Sequence, residues 1–326
     1  MKQEASIRLA RKSELNALSE LIRAQLPDMV QADRPPEMLQ RQLSGLIEDG
    51  CLIVARALDR YIGVVALDLL DRRIIACHLD PALADAGTPR KLFAAAEKRA
   101  LMFGLRSLEC CIRAPALRFM WSIGFEPEDD GPDGSRPILV RKNIETQASP
   151  RMQKVFELHR ELGIPENYGA RHRLIMVPDI QHLESIGFDV FDREQWMWPE
   201  AAAAWRKMRE AAAHAGAELQ VVSAFRGLKY QAGLIRNKLD KGQKIHQILT
   251  VSAAPGFSEH HSGRAVDIKS PGDPPLEESF AETGAYRWLK TNARFFGFHE
   301  TLGRNNRHGI TWEPWHWCYK RIGQPH

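Results

Sequence analysis

Two short stretches of the sequence concentrate residue types that can bind a metal ion. The first, SEHHSGRAVDI at 258–268, contains two adjacent histidines and an aspartate, and the second, EPWHW at 313–317, places a glutamate three residues before a histidine. A catalytic zinc ion takes three protein ligands, and histidine nitrogens and carboxylate oxygens are suitable ones; a fourth position remains for water. His260, Asp267 and His316 supply such a set.

The second stretch also contains a group that could transfer protons. Water at such a site must lose a proton to attack an amide, and a nearby carboxylate must accept it, for which Glu313 is the candidate. On an extended segment, residues three apart point to opposite faces, so Glu313 and His316 converge only if Pro314 bends the chain. Each residue also has an ordinary structural interpretation: a histidine is usually a surface or core residue, Asp267 could cap a turn, and Glu313 could lie in solvent.

The combined pattern is much more specific than its parts. It reads Ser-x-His-x-x-Gly-x-Ala-x-Asp followed by Glu-x-x-His, matched at Ser258, His260, Gly263, Ala265, Asp267, Glu313 and His316. From about residue 150 to 323 the chain resembles the LAS metallopeptidases, most closely the VanY-like D-alanyl-D-alanine carboxypeptidases. The resemblance implies one zinc ion per chain, held by His260, Asp267 and His316. His261 occupies a variable position of the pattern, so we expect it to lie beside the metal without binding it.

A further segment extends the resemblance. SAFRGLKYQ at 223–231 is similar to the family's Ser-x-x-Arg-Ser-x-x-x-Gln segment, with Gly227 where the family often has serine. The resemblance implies that Arg226 holds the substrate carbonyl or the developing oxyanion, a role that suits its fixed charge and planar fork. It also implies that Ser223, Gln231 and Ser258 bind the peptide substrate.

The elements around these motifs follow from hydrophobic periodicity. LQVVSAFRGLKYQAGL at 219–234 predicts a buried strand that turns into a helix, and GRAVDI at 263–268 predicts a strand. A helix followed by a strand is predicted over 285–302, and GITWEPWHWCY at 309–319 is predicted to be one final strand. The alanine-rich stretch at 200–216 predicts a helix that ends at Gly216.

The N-terminal half predicts alternating strands and helices. These include a helix capped at Ser13 and a hairpin that turns around Asp59 and Arg60. Over residues 5–145 the order of elements resembles the GNAT acetyltransferase fold, in which the backbone N–H groups of a glycine-rich turn bind the pyrophosphate of acetyl-CoA. Here the turn HLDPALADAGTPRKLF has a single glycine, and Pro89 removes an N–H donor. We therefore expect acetyl-CoA to bind to this half weakly or not at all.

A change in composition indicates where one half ends. The loop-forming segment 126–136 precedes a short strand, and the polar ETQASP at 145–150 predicts a linker, so we place a boundary near residue 148. Residues 1–148 are expected to form a degenerate GNAT-like α/β sheet domain. Residues 149–326 are expected to form a VanY-like zinc carboxypeptidase domain, a LAS-type antiparallel sheet with flanking helices. The fold class is α+β.

The composition indicates which binding partners and which cellular compartment to expect. The 45 basic and 41 acidic residues are well mixed, without a block of lysine and arginine that would indicate nucleic acid binding. No stretch approaches the ~20 apolar residues that cross a bilayer, and the first residues lack the apolar core of a signal peptide. Five scattered cysteines without a CxxC pair fit free thiols in a reducing compartment, so we expect a cytoplasmic protein that does not bind membranes.

These observations favour a zinc carboxypeptidase that removes the terminal D-alanine from peptidoglycan stem peptides. A cytosolic location favours L,D-carboxypeptidase action on recycled tetrapeptides, with D,D-carboxypeptidase action on pentapeptides as the alternative. Two hypotheses of other classes remain: an N-acetyltransferase with an accessory metal-binding domain, and a non-catalytic sensor of muropeptides. The degraded phosphate turn argues against the first, and the presence of Glu313 and Arg226 argues against the second, because a structural zinc ion needs neither.

Overall fold

A computed structural model describes residues 5–26, 35–80, 87–128, 137–178 and 180–320 of the chain. The chain divides into two compact units, Met1–Ser149 and Pro150–His326. Among the described helices, none has both the length and the apolar composition of a bilayer-spanning segment. Residues 81–86 of the phosphate-turn motif of the first half and residues 129–136 of the loop after residue 126 lie outside the described residues.

The first unit is built on a seven-stranded mixed sheet. Its strands are β1 (Ser6–Leu9), β2 (Leu52–Ala57), β3 (Arg60–Asp68), β4 (Arg73–Leu79), β5 (Ser107–Ile112), β6 (Glu126–Pro127) and β7 (Ile138–Asn143). They lie in the order β1-β2-β3-β4-β5-β7-β6, and all neighbours are antiparallel except β4 and β5. Its described residues also form the helices α1 (Leu15–Gln25), α2 (Pro36–Glu48), α3 (Thr88–Met102) and α4 (Leu117–Ser122).

The core of this unit follows from the apolar strands and amphipathic helices. β2 and β3 are almost entirely buried, as expected for strands covered by other elements. The apolar residues of α1 and α2 recur at helical spacing, and Leu18, Ile22, Leu39 and Leu43 pack against β2 and β3.

Two local predictions for this unit are wrong by a few residues. The helix is not capped at Ser13, because a 3-10 turn (Lys12–Glu14) precedes α1 and Glu14 Oε2 accepts the N–H of Arg11 at 2.9 Å. The hairpin turns around Leu58 and Asp59, since Ala57 pairs with Arg60 and Leu58 takes a positive φ of 54°.

The second unit contains a four-stranded sheet in the order β10-β11-β13-β12, in which all neighbours are antiparallel. Its strands are β10 (Gln220–Ser223), β11 (Ala265–Lys269), β12 (Phe298–His299) and β13 (His316–Tyr319), and a separate hairpin is formed by β8 (Glu184–Phe188) and β9 (Glu194–Met197). The helices are α5 (Pro150–Leu162), α6 (Tyr168–Arg171), α7 (Pro199–His214), α8 (Leu228–Asp240), α9 (Ile245–Val251) and α10 (Gly284–Asn292).

The core of the second unit lies between this sheet and α7 and α10. Trp205 and Met208 of α7 are fully buried against Val266, Ile268 and Trp317 of the sheet. Burial of each such side chain contributes about 1.5–3 kcal/mol. The mixture of helices with an antiparallel sheet confirms the predicted fold class, α+β, and the helix that ends before Gly216 is also confirmed.

The predicted final strand is only partly correct. β13 begins at His316, because the His316 N–H donates to the carbonyl oxygen of Glu313 at 3.0 Å and closes a turn through Pro314. The bend required at Pro314 is therefore confirmed, and residues 309–315 are not strand.

Candidate metal centre

Three candidate ligand atoms meet at the centre of the antiparallel sheet. Asp267 of β11 lies directly opposite His316 of β13 in the strand register, and His260 reaches the same point from the 3-10 turn Glu259–Ser262. Asp267 Oδ1 lies 3.2 Å from His260 Nε2 and 3.1 Å from His316 Nδ1. One ligand atom from each residue lies within 4.8 Å of the others, and all three residues are at most 3% exposed.

A glycine allows the turn to reach this point. Gly263 ends the 3-10 turn with a φ of +63°, a conformation that favours glycine. A Cβ atom there would lie 2.8 Å from Leu183 Cδ2 and 2.9 Å from the backbone nitrogen of Trp198. A side chain at position 263 would therefore clash with the neighbouring residues.

The two histidines are oriented by partners on their outer ring nitrogens. His260 Nδ1 donates to the carbonyl oxygen of Ala224 at 2.5 Å, and His316 Nε2 donates to Glu259 Oε2 at 2.8 Å. Such outer hydrogen bonds fix the tautomer and the ring orientation of metal-binding histidines. His260 Nε2 and His316 Nδ1 then both face Asp267, the arrangement that metal binding requires.

Glu259 was not identified from the sequence. Its carboxylate also accepts the Thr301 hydroxyl. Although burial opposes its charge, the hydrogen bond from His316 and the charge of that ring lower the pKa of Glu259 to about 2. The only signal in the sequence was an acidic residue next to a candidate ligand, and no spacing rule connects it with His316.

His261 makes backbone contacts with both ring nitrogens. Nδ1 donates to the carbonyl oxygen of Arg226 at 2.5 Å, and Nε2 accepts the N–H of Gly256 at 3.0 Å. Because both ring nitrogens are occupied by backbone groups, His261 supports the loop beside the candidate ligands.

The ligand cluster attracts positive charge. Arg226 Nη2 donates to Asp267 Oδ2 at 2.5 Å and to His260 Nε2 at 2.6 Å. Burial opposes charge on His316, but its hydrogen bonds to Asp267 and Glu259 raise its pKa to about 10, whereas burial beside the Arg226 cation lowers the pKa of His260 to about 4. Two imidazole nitrogens and a carboxylate that draw in cations fit a divalent metal such as zinc.

Glu313 lies next to this cluster in a desolvated position. Its Oε2 is 4.0 Å from His316 Nδ1, and its side chain is 17% exposed. Burial raises the pKa of Glu313 to about 7, against the nearby charge of His316, and the carboxylates of Asp267 and Glu259 add to the rise. A carboxyl group with a pKa near neutrality can both accept and return a proton under physiological conditions.

A cleft of about 380 Å³ opens onto the three ligand residues and Glu313. Arg226, Gln231 and Ser258 also line it, but Ser223 is not among its described lining residues and lies opposite Asp267 in the strand register. Gln231 Nε2 donates to the carbonyl oxygen of Ala253 at 2.8 Å. Within the described part of the chain, Gln231 Oε1 and Arg226 Nε are buried without a hydrogen-bond partner. A polar substrate would supply those partners.

The C-terminal half also matches a known family. Residues 194–323 match the family model of VanY, D-alanyl-D-alanine carboxypeptidase. These residues form a VanY-family domain. The chain is 30% identical over 167 residues to the Bacillus subtilis (strain 168) protein "Putative carboxypeptidase YodJ". The matched region covers 50% of this chain and 58% of that protein. The chain thus spans little more than half the length of this relative.

Solved structures are similar to each half. The LdcB LD-carboxypeptidase is 29% identical and the match covers 44% of this chain and 69% of that chain, with a TM-score of 0.40. The PaiA N-acetyltransferase from Thermoplasma acidophilum, solved with coenzyme A, is 17% identical over 43% of this chain and 99% of that chain, with a TM-score of 0.35. Structural neighbours of the chain therefore include both carboxypeptidases and GNAT acetyltransferases.

Proposed function

We propose that the second unit is a zinc-dependent carboxypeptidase that removes the terminal D-alanine from peptidoglycan stem peptides. The observation that carries the proposal is the meeting of three metal-ligand atoms with Glu313, whose pKa is about 7, in one cleft. The VanY-family match over residues 194–323 supports the same chemistry. A metal that only stabilised the fold would need neither Glu313 nor a cleft.

His260, Asp267 and His316 would hold one zinc ion through Nε2, a carboxylate oxygen and Nδ1. When bound, zinc supplies a Lewis acid that makes water a nucleophile at neutral pH. Glu259 and the carbonyl oxygen of Ala224 hold the two imidazole rings in the required tautomers.

The remaining cleft residues act on the peptide. Glu313 accepts the proton of the attacking water and returns it to the leaving amine of D-alanine. The unpartnered Nε–H of Arg226 donates to the carbonyl oxygen as it gains negative charge, and the unpartnered Oε1 of Gln231 accepts an N–H of the peptide. Ser258, 3% exposed, also lines the cleft and binds the peptide in this proposal. Ser223 remains a predicted substrate residue.

We propose that the preferred substrate is the tetrapeptide of recycled muropeptides, which makes the enzyme an L,D-carboxypeptidase of the cytoplasm. All five cysteines are free, which fits a reducing compartment. Wholesale cleavage of new pentapeptides in that compartment would remove the donor for wall cross-linking. Removal of the terminal D-alanine from a tetrapeptide leaves a reusable tripeptide.

Competition between the two stem peptides tests this assignment. The enzyme is incubated with equal amounts of tetrapeptide and pentapeptide, and the products are measured by mass spectrometry. We expect faster formation of tripeptide from the tetrapeptide. Preferential release of D-alanine from the pentapeptide would assign D,D-carboxypeptidase activity, and the absence of any product from either peptide would refute the carboxypeptidase proposal.

We propose that the first unit does not bind acetyl-CoA productively. α3 begins at Thr88 and contains Pro89 in its first turn, where a backbone N–H would otherwise face a phosphate. Calorimetric titration of the full chain with acetyl-CoA is expected to give no binding heat. Micromolar affinity would contradict this expectation and would favour the transferase hypothesis.

A further inference from the structure

The cleft contains a second cation besides Arg226. Of the described residues that line it, only Arg226 and Lys238 carry a lysine or arginine side chain. Arg226 is engaged by Asp267 and His260. Lys238 Nζ donates to the Ser252 hydroxyl at 2.8 Å, and no carboxylate of the described residues forms an ion pair with it. An ammonium group has three donors, so this neutral contact leaves two of them for a ligand.

The position of Lys238 on α8 places it along the path of the substrate. Gln231, Leu234 and Lys238 are spaced by three and four residues, so they lie on one face of the helix, and all three line the cleft. Seven residues of helix span about 10 Å. The cleft therefore follows α8 from the unpartnered amide oxygen of Gln231 to the ammonium of Lys238.

Lys238 is also within electrostatic reach of the reacting groups. Burial lowers its pKa, the Glu313 carboxylate acts in the opposite direction, and the Arg226 cation lowers it further. Apolar side chains, including Leu174, Val251 and Ile310, line the same cleft. A cation that is partly desolvated and lacks a carboxylate partner gains most from an anionic ligand.

We propose that Lys238 binds the carboxylate of the terminal D-alanine and so confines cleavage to the free C-terminus of a peptide. This inference rests on the proposed carboxypeptidase function. An exopeptidase must distinguish a terminal carboxylate from an internal peptide bond, and a buried counter-charge makes that distinction. Since the proposed function assigns Arg226 to the carbonyl of the bond that is cut, Lys238 is the remaining lysine or arginine of the described cleft lining that can supply it.

The test compares stem tetrapeptides that end in a free carboxylate or in a carboxamide. Lys238→Met is expected to lower kcat/KM for the free acid by about 10- to 100-fold, mainly through KM, because one charge-assisted hydrogen bond is lost. The same variant should leave kcat/KM for the amide nearly unchanged. Lys238→Arg should restore part of the loss, and Lys241→Met, an exposed lysine at the end of α8, should behave as wild type.

Other outcomes would overturn the proposal. An equal loss of kcat/KM for the acid and the amide would show that Lys238 supports the fold or the chemistry without contacting the carboxylate. The penultimate residue of the tetrapeptide is a diamino acid with a carboxylate in its side chain. A loss that disappears when lysine replaces this residue would assign the contact to that side-chain carboxylate.

A binding measurement separates this inference from the proposed function. Calorimetry of the tetrapeptide is performed on Glu313→Gln with and without Lys238→Met, so that turnover is not needed. We expect Lys238→Met to weaken binding about 10-fold or more, and unchanged binding would overturn the carboxylate contact. If wild type releases no alanine from any peptide, the carboxypeptidase proposal fails, whatever the binding result.

Discussion

Two half-buried glutamates, one in each unit, have opposite electrostatic environments. Glu14 in the first unit accepts hydrogen bonds from Arg8, the Arg11 N–H and the Tyr61 hydroxyl, and the Arg8 contact is the main cause that lowers its pKa to about 2. Glu313 in the second unit is desolvated among other carboxylates, and its pKa rises to about 7. A buried carboxylate with its partners in place stabilises a fold, whereas one that lacks them is prepared for proton transfer.

A similar contrast separates Glu97 of the first unit from two polar groups of the cleft. In the first unit Glu97 is paired with Lys142 at 2.7 Å and Gln147 at 2.8 Å. In the second unit Arg226 Nε and Gln231 Oε1 are buried without partners among the described residues. Unsatisfied groups cost stability, and these two line the same cleft, where a polar substrate would satisfy both.

The largest effect is expected from His260→Ala. Without one of three ligands the metal should be lost, and peptide hydrolysis should fall to background. Metal content by elemental analysis and alanine release check this, with His214→Ala on the exposed end of α7 as the control. Full zinc content in His260→Ala would remove this residue from the ligand set.

The second effect concerns Glu313. Glu313→Gln should keep the metal and the fold but lose at least ~100-fold in turnover, as is typical for a general base. The exposed Glu210→Gln on α7 serves as the matched control, and both variants are measured by steady-state release of D-alanine. Near-normal hydrolysis by Glu313→Gln would exclude it from the mechanism.

A smaller effect is expected at Glu259, which contacts the outer ring nitrogen of the proposed ligand His316. Glu259→Gln should weaken zinc affinity by about 10- to 100-fold, because the ring loses a charged partner that orients it. Competition with a chelator of known affinity measures the change. Unaltered affinity would show that His316 is positioned without Glu259.

The smallest effect is expected at Glu14, which should change stability and leave hydrolysis intact. Its pKa of about 2 in the folded state lies below its ordinary value of 4.5, so its contribution is complete above about pH 4.5 and is lost as the pH falls through 2. Glu14→Gln should reduce the free energy of unfolding at pH 7 by on the order of 2 kcal/mol.

Denaturant unfolding between pH 7 and pH 3 measures this difference, with the exposed Glu20→Gln on α1 as the control. The difference between wild type and Glu14→Gln should shrink towards pH 3. A difference independent of pH would mean that ionisation of Glu14 does not stabilise the fold.

The sequence predicted the parts of the site that depend on local spacing. The convergence of His260, Asp267 and His316 follows from two short motifs, because the motifs lie on neighbouring strands. The bend at Pro314 followed from the geometry of an extended chain.

Other features depend on which side chains meet across the fold. The contact of Glu259 with His316 and the position of Lys238 in the cleft depend on how β13 and α8 pack, which the spacing of residues in the sequence does not give. The Ser13 cap was wrong because Glu14 makes the competing contact with the Arg11 N–H, and local preference cannot rank two adjacent candidates.

Removal and return of the metal is the sharpest test of zinc-dependent hydrolysis at this site. The purified chain is treated with a chelator, dialysed, and assayed for release of D-alanine from the stem tetrapeptide before and after addition of one equivalent of zinc. We predict loss of activity on removal and recovery at one zinc ion per chain, with no recovery in His260→Ala. Full hydrolysis by metal-free protein would contradict the account.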